Sequence, residues 1–385
     1  MQKTEFIKRL VLLITLFNLA SCQLSNPSQS NNQPPKVNDA TSTEETDVSL
    51  NWFTDSQLKP TDTVSAAEAK AFVHNVYQTI DDQIFDPAFK KAERNQQQQD
   101  LLATLDTQSG WSRAELTERI SNELNKLSVS HLRILDPTAG ATLFRIFEQK
   151  PLPDTTPTPS VSAEMRGEVG ILRVESFIVP LITKAELDRA KAQLAQAQVI
   201  LIDVRANGGG FGSSVSYLVE DIIGPDKVVS RDRTREGLQV QEPYIFRGYF
   251  DDAINAEAKA EIELSETHSY IEWRTRLEAR VDPRPHFILV DDQCGSACDL
   301  FAGIIKDYGS AKILGVRTMG ALLGGDAFRL RWQGFALIVP ISQVISPKGH
   351  LIEGVGVQPD VEIPECANGG NRCLEKAIEI ADAAI

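Results

Sequence analysis

Val199-Ile200-Leu201-Ile202-Asp203-Val204 is an almost unbroken apolar run, and it leads within a few residues into Asn207-Gly208-Gly209-Gly210. A strand without a polar face is the pattern of a parallel sheet covered on both sides. A glycine turn at its carboxyl end lies where open α/β sheets gather their ligands. The flanking segments extend this pattern. Val169 to Val174 reads as a strand, and Thr183 with Glu186 forms a capping box that opens a helix to about Gln196. His286 to Val290 reads as a second buried strand, followed by a helix whose Ala297, Leu300, Phe301, Ile304 and Ile305 share one face. Ala311 to Val316 completes a β-turn-α-β unit, and Phe335 to Val339 and Gln343 to Ile345 read as two later, antiparallel strands.

Outside this core the texture changes. Thr63 to about Leu127 has helical periodicity, broken between Thr107 and Gly110. The run PLPDTTPTPS over 151–160 has four prolines, which remove backbone donors and predict a loop. Asp251 to Glu278 is charged and Ala/Glu-rich, and predicts a helical insertion or partial lid. With 42% apolar and 24% charged residues the chain can bury a large core, which excludes collagen-like and wholly disordered classes. The net charge of −14 argues against a nucleic-acid surface, because phosphate binding needs clustered Lys and Arg.

The amino terminus reads as a processing signal. Lys3, Lys8 and Arg9 precede the apolar stretch Leu10 to Ala20, and Leu19-Ala20-Ser21-Cys22 resembles a bacterial lipoprotein signal that leaves Cys22 as a lipid-modified end. Gln23, rather than Asp, at the next position favours the outer membrane facing the periplasm in lipoprotein sorting patterns. Gln23 to about Val48 is polar and poor in large apolar groups, the composition of a flexible stalk. Four cysteines remain for an oxidising compartment. Cys366 and Cys373 flank a segment able to turn back on itself. Cys294 and Cys298 straddle a turn, where bridging depends on Cβ geometry. Neither spacing suits a zinc site, so no metal and no cofactor is expected.

Ser296 stands in Asp292-Gln293-Cys294-Gly295-Ser296-Ala297-Cys298-Asp299, between the second strand and its helix. A tight turn there can project a hydroxyl beside the N–H groups of a helix start, although the G-x-S-x-G spacing is absent. Ser296 with Asp299 also fits an S-x-x-D capping box that requires no chemistry. A serine nucleophile needs a base. Of His74, His131, His268, His286 and His350, the candidate is His131, in Leu127-Ser128-Val129-Ser130-His131-Leu132, where helix gives way to a strand-like run.

These pieces together resemble the S41 serine peptidases, which include the carboxyl-terminal processing proteases and the tricorn core protease. The resemblance covers roughly residues 165 to 363. It rests on Val169 to Val174, on the turn Asp203-Val204-Arg205-Ala206-Asn207-Gly208-Gly209-Gly210, and on Ser296 followed by Gly315, Thr318 and Gly320 in a G-x-x-T-x-G pattern. It implies that Ser296 is the nucleophile and that Gly209 or Gly210 joins the Ala297 N–H as an oxyanion donor. The processing branch places its general-base lysine directly after the glycine matching Gly320, where this chain has Ala321; the nearest lysines are Lys312 and Lys348. Ser130-His131 and the late Glu353-Gly354-Val355-Gly356-Val357-Gln358-Pro359-Asp360 resemble instead the tricorn-like branch. That branch implies His131 as base and Glu353, through Ser130, as orienting carboxylate.

The expected fold is therefore an α/β, S41-like (ClpP/crotonase-like) β-α-β core with an N-terminal helical subdomain. Leu132 to Gly167 is too short for a PDZ domain. The expected organisation is a signal peptide over 1–21, a linker over 22–50, the helical subdomain over 51–135 and a Pro-rich connection over 136–167. A core over 168–365 follows, with an insertion over 251–278, and a terminal segment over 366–385. The expected function is hydrolysis of peptide bonds in exported or unfolded polypeptides through an acyl-enzyme. A noncatalytic peptide-binding scaffold of the envelope and a serine esterase are the alternatives. The expected partners are a peptide or unfolded protein and the membrane, with no nucleic acid and with a homo-oligomer left open.

Overall fold

The computed structural model describes residues 61–147, 160–247 without 180, and 260–385 without 261–262, 266, 332–333 and 371. The segments expected to be a signal sequence and a stalk, with the expected lipidation site Cys22, lie outside the described residues, as does most of 251–266. In chain order the elements begin with β1 (Thr63–Ser65), α1 (Ala66–Gln83), α2 (Lys91–Leu105), β2 (Gly110–Ser112), α3 (Arg113–Lys126), β3 (Arg133–Leu135) and α4 (Pro137–Phe147). The central part comprises β4 (Val161–Arg166), β5 (Val169–Val174), α5 (Lys184–Gln193), β6 (Val199–Asp203), α6 (Gly212–Ile223), β7 (Val228–Thr234), β8 (Tyr244–Arg247) and β9 (Tyr270–Arg274). It closes with β10 (His286–Val290), α7 (Ala297–Tyr308), β11 (Lys312–Gly315), β12 (Leu323–Arg329), β13 (Ala336–Ile345), β14 (Val361–Glu362) and α8 (Cys373–Asp382).

The first sheet has the order β14-β11-β10-β6-β5-β4, parallel except for β4, which runs antiparallel to β5. Strand alternation explains the unbroken apolar run in β6. Ile200, Ile202 and Val204 pack with the helices α5, α6 and α7, whereas Val199 and Leu201 face the opposite layer, where α8 supplies Cys373, Ala377 and Ala381. The second sheet, β12-β13-β7-β9-β8, also takes β3 against β13. Its other neighbour is the N-terminal helical layer, where Phe72, Val76 and Ile80 of α1 and Leu116 and Ile120 of α3 share one core with Leu323, Leu337 and Val339. Capping boxes open α1 (Ser65/Glu68), α3 (Ser112/Glu115) and α5 (Thr183/Glu186).

Two expectations are corrected. The end of the charged insertion is not helical, because Tyr270–Arg274 is strand β9, paired antiparallel with β7. Its Glu272 is buried between Arg231 and Arg274, so the charges that suggested a solvent-facing helix neutralise one another inside the sheet. The two late strands are one, β13, which runs straight through Pro340. Proline is tolerated where it interrupts no ladder. Here β3 pairs with residues 336–338 and β7 with 342–345, so Pro340 falls in the gap between the two partners, opposite an irregularity at Gly324/Gly325.

Among the described residues no helix is long and apolar enough to cross a membrane. Both cysteine pairs are bonded, Cys294 to Cys298 and Cys366 to Cys373. The first brackets Ser296, and the second closes the turn that leads into α8.

Candidate active site

β6 and β10 are parallel neighbours, with Leu289 in register with Asp203, so the loops that follow them emerge side by side. The glycine turn after β6 is built by backbone capture. The buried Asp291 carboxylate accepts the Ala206 N–H at 3.0 Å, and Gly295 N–H donates to the Asn207 carbonyl at 3.1 Å. Asn207 uses both ends of its amide: its Nδ2 donates to the Val174 carbonyl at 3.0 Å and its Oδ1 accepts the Gly209 N–H at 2.9 Å. Gly209 has φ +111°, and a Cβ there would stand 2.6 Å from the Ser296 Cβ and 3.0 Å from the Ala297 nitrogen. Only glycine fits this approach. The N–H groups of Gly210 and Ala297 carry no hydrogen bond among the described residues, whereas that of Gly209 is already donated to Asn207.

Ser296 is fully buried and has φ +55° and ψ −119° at the start of α7. His131 has φ +56° and Ser128 φ +50°. Left-handed backbone is costly for such residues and persists only where the surroundings enforce it. Ser296 Oγ lies 3.4 Å from His131 Nε2, and Ser130 Oγ lies 3.0 Å from His131 Nδ1. Glu353 closes the series. Its Oε2 accepts the Ser130 hydroxyl at 2.8 Å and its Oε1 accepts the Ser130 N–H at 2.8 Å. With its proton given to Glu353, Ser130 Oγ is an acceptor toward the ring and assigns the hydrogen to Nδ1. The Nε2 lone pair then faces the Ser296 hydroxyl.

Burial, seconded by the Arg133 guanidinium, presses the His131 pKa down to about 3, so the resting ring is neutral. Burial also raises the Glu353 carboxyl, opposed by the Ser130 N–H and hydroxyl, the Leu322 N–H and the Lys90 charge. The His131 shift has a consequence for stability. Its folded value lies below the ordinary 6.5, so the native state binds fewer protons there than the unfolded chain, and stability present above pH 6.5 is lost as pH falls toward 3. The slope for one proton is about 1.4 kcal/mol per pH unit. Urea midpoints of His131→Gln measured from pH 4 to 7 are expected to fall less steeply than those of the wild type. Parallel slopes would show that His131 is not held neutral.

The carboxylate of Asp299, which the sequence offers only as a helix cap, has a wider part. It accepts the Ser296 N–H at 3.1 Å, the Thr318 hydroxyl at 2.5 Å, the Gly320 N–H at 3.0 Å and the Ala321 N–H at 2.7 Å. Thr318 Oγ1 in turn accepts the Val357 N–H at 2.8 Å, and Gly354 N–H donates to the Gly320 carbonyl at 2.7 Å. A Cβ on Gly320 would stand 2.5 Å from the Gly356 nitrogen. The G-x-x-T-x-G turn therefore couples the Ser296 elbow to the loop that carries Glu353. The same loop is tied to α7 farther along, where buried Asp307 accepts the Lys348 N–H at 2.8 Å and contacts His350 Nδ1. Sequence reading also missed Gly325, where a Cβ would stand 2.6 Å from the His131 Cβ, so that only glycine leaves room for this side chain. A glycine pair inside a strand was the available signal.

Residues 168–363 match the family model for peptidase family S41. Among curated proteins the chain is 26% identical over 214 residues to a CtpA-like serine protease of Staphylococcus epidermidis, covering 54% of this chain and 36% of that protein. It is 27% identical over 209 residues to a CtpA-like serine protease of Staphylococcus aureus, covering 53% and 35%. The chain thus spans about a third of the length of the curated relatives it matches. Among solved structures, a peptidase of Parabacteroides merdae superposes with a TM-score of 0.56 over 84% of this chain and 99% of that one, at 15% identity, which speaks for a common fold. These relatives correct the expected branch: similarity runs to the CtpA-like proteins and not to the tricorn-like group. The two-residue and eight-residue motifs that suggested the latter are outweighed by similarity spread over half of the chain. Which side chain reaches Ser296 is a separate, local matter.

Proposed function

The chain belongs to peptidase family S41, and from that membership we propose that it hydrolyses peptide bonds in exported or unfolded polypeptides through an acyl-enzyme. The observation that carries this reading is the continuous run Glu353, Ser130, His131, Ser296, drawn from three distant parts of the chain. Ser296 Oγ attacks the scissile carbonyl while its proton passes to His131 Nε2. The imidazolium so formed is stabilised by Glu353, whose charge reaches the ring through the Ser130 hydroxyl. The N–H groups of Ala297 and Gly210 receive the carbonyl oxygen as it becomes negative; that of Gly209 joins only by releasing Asn207. His131 then returns the proton to the leaving amine, and water, deprotonated by the same ring, releases the acyl group and restores Ser296.

The two disulfides favour an oxidising compartment, in keeping with an exported protein. Attachment through a lipidated Cys22 at the outer membrane, facing the periplasm, belongs to the same proposal and is supported by the signal-like sequence.

The test pairs covalent labelling with turnover. A serine-reactive fluorophosphonate is expected to modify Ser296, mapped by mass spectrometry, and a diverse peptide library is expected to be cut by the wild type and not by Ser296→Ala. Labelling of Ser296 with ester but no peptide cleavage would assign an esterase instead. No labelling, together with equal slow background cleavage by both proteins, would leave a noncatalytic scaffold.

A further inference from the structure

Lys90 lies in neither the Ser296 elbow nor the glycine turn, and no motif points to it. It is half-buried, has φ +49°, and its carbonyl accepts the Arg94 N–H in the first turn of α2. Its ammonium group donates to the carbonyl of Leu127. Leu127 ends α3, and the chain then passes through left-handed Ser128 to Ser130 and left-handed His131. A helix carboxyl end presents unpaired carbonyls and partial negative charge, which a lysine satisfies. Glu353 holds the same short turn from another side through the Ser130 N–H and hydroxyl. One turn is therefore gripped at its root by a cation and at its tip by an anion. The cation is also close enough to favour the ionised form of Glu353.

We propose that Lys90 is a positioning residue for the Ser296 reaction, its ammonium group fixing the root of the Leu127–His131 turn and sustaining the charge of Glu353 behind Ser130. The inference rests on the catalytic reading above. The groups involved are the Lys90 cation near Glu353, with the Ser130 N–H and hydroxyl and the Leu322 N–H as donors to it, the resting neutral His131 behind Ser130, and the Arg133 cation near His131. A residue that merely capped α3 would alter stability alone. A residue acting through Glu353 and His131 must also move the acid limb of the pH profile. Loss of the Lys90 charge raises the pKa of Glu353, which then ionises with one cation fewer nearby, and a Glu353 protonated at higher pH no longer supports the His131 imidazolium through Ser130.

The test compares the wild type, Lys90→Met and Lys90→Arg, each as the full chain, on one peptide cut by the wild type. Lys90→Met is expected to lower kcat by about tenfold with KM within about twofold, the scale of losses from groups that orient a reacting side chain. The acid limb of kcat/KM is expected to move up by about half a pH unit, with Lys90→Arg restoring the limb. An unmoved limb in Lys90→Met overturns the proposal, whether or not the rate falls. Equal shifts in both variants overturn it as well, because charge is then not the agent. Fluorophosphonate labelling of Ser296 in the same preparations separates the two levels. Absence of labelling in the wild type removes the catalytic reading itself, whereas labelling with an unmoved limb removes only the part given to Lys90.

Discussion

Replacing His131 by alanine is expected to lower kcat/KM by about three orders of magnitude, the range lost when a serine nucleophile is deprived of its base. The residual rate would come from the N–H groups near Ser296, which remain. The more discriminating member of the series is Glu353→Gln. The native carboxylate offers one oxygen to the Ser130 N–H and the other to the Ser130 hydroxyl. Glutamine can satisfy only one of these. If its carbonyl takes the N–H, its amide donates to Ser130 Oγ, the hydroxyl proton turns toward His131 Nδ1, and the ring is driven to carry hydrogen on Nε2. That tautomer cannot accept from Ser296. If the amide faces the Ser130 N–H, two donors oppose each other beneath the strained turn. Glu353→Gln is accordingly expected to cost about two orders of magnitude in kcat, with KM little changed, and Ser130→Ala to approach it by disconnecting the carboxylate from the ring. Rates for both variants within about twofold of the wild type would make Glu353 an ordinary loop carboxylate.

The parts of this arrangement that could be read from sequence are those whose signal is local. An all-apolar strand, a capping box such as Thr183/Glu186 and a helical stripe such as Ala297, Leu300, Phe301, Ile304 and Ile305 each state their structure within a few residues. Ser130, His131, Ser296 and Glu353 were legible only as motifs, because nothing local brings a residue at 130 to one 223 positions away. Their meeting depends on β3 pairing with β13 and on the Thr318–Ala321 turn packing against the 352–356 loop. The misread elements share a cause. Tyr270-Ile271-Glu272-Trp273-Arg274 has the aromatic and branched residues of a strand, but it sits in the charged, Ala/Glu-rich stretch Asp251 to Glu278, and the neutralising partner of Glu272 across the ladder, Arg231, lies 41 positions away. Asp299 was hidden by sufficiency, since a helix cap already explained it.

That carboxylate is the basis of the largest expected loss of stability. Asp299 is fully buried, and each of its oxygens receives two donors: Oδ2 those of Ser296 and Ala321, Oδ1 those of Thr318 and Gly320. Burial lifts its pKa to about 6, against the pull of those four bonds, so it remains ionised at neutral pH. Removing it strands three N–H groups and a hydroxyl in a water-excluded site, where each unsatisfied donor costs about 1 to 3 kcal/mol. Partial relaxation reduces the sum, and Asp299→Ala is expected to lose about 4 kcal/mol, a large fraction of what holds a domain together. Asn is expected to be nearly as poor, because its amide presents donors to two donors whichever way it turns; Thr318 Oγ1 could accept from that amide while keeping the Val357 N–H, but the Gly320 N–H beside it would still face a donor and the Thr318 proton would lose its acceptor. Urea unfolding of both variants, with Ser296→Ala as a neighbour that leaves the four bonds in place, measures the difference. If Asp299→Asn matched the wild type in stability, the carboxylate would be no more than the cap its sequence suggests. If it unfolded early, the Ser296 elbow and the Glu353 loop would be joined through a single buried charge, and Ser296 in Asp299→Asn would lose its fluorophosphonate reactivity with His131 and Glu353 both intact.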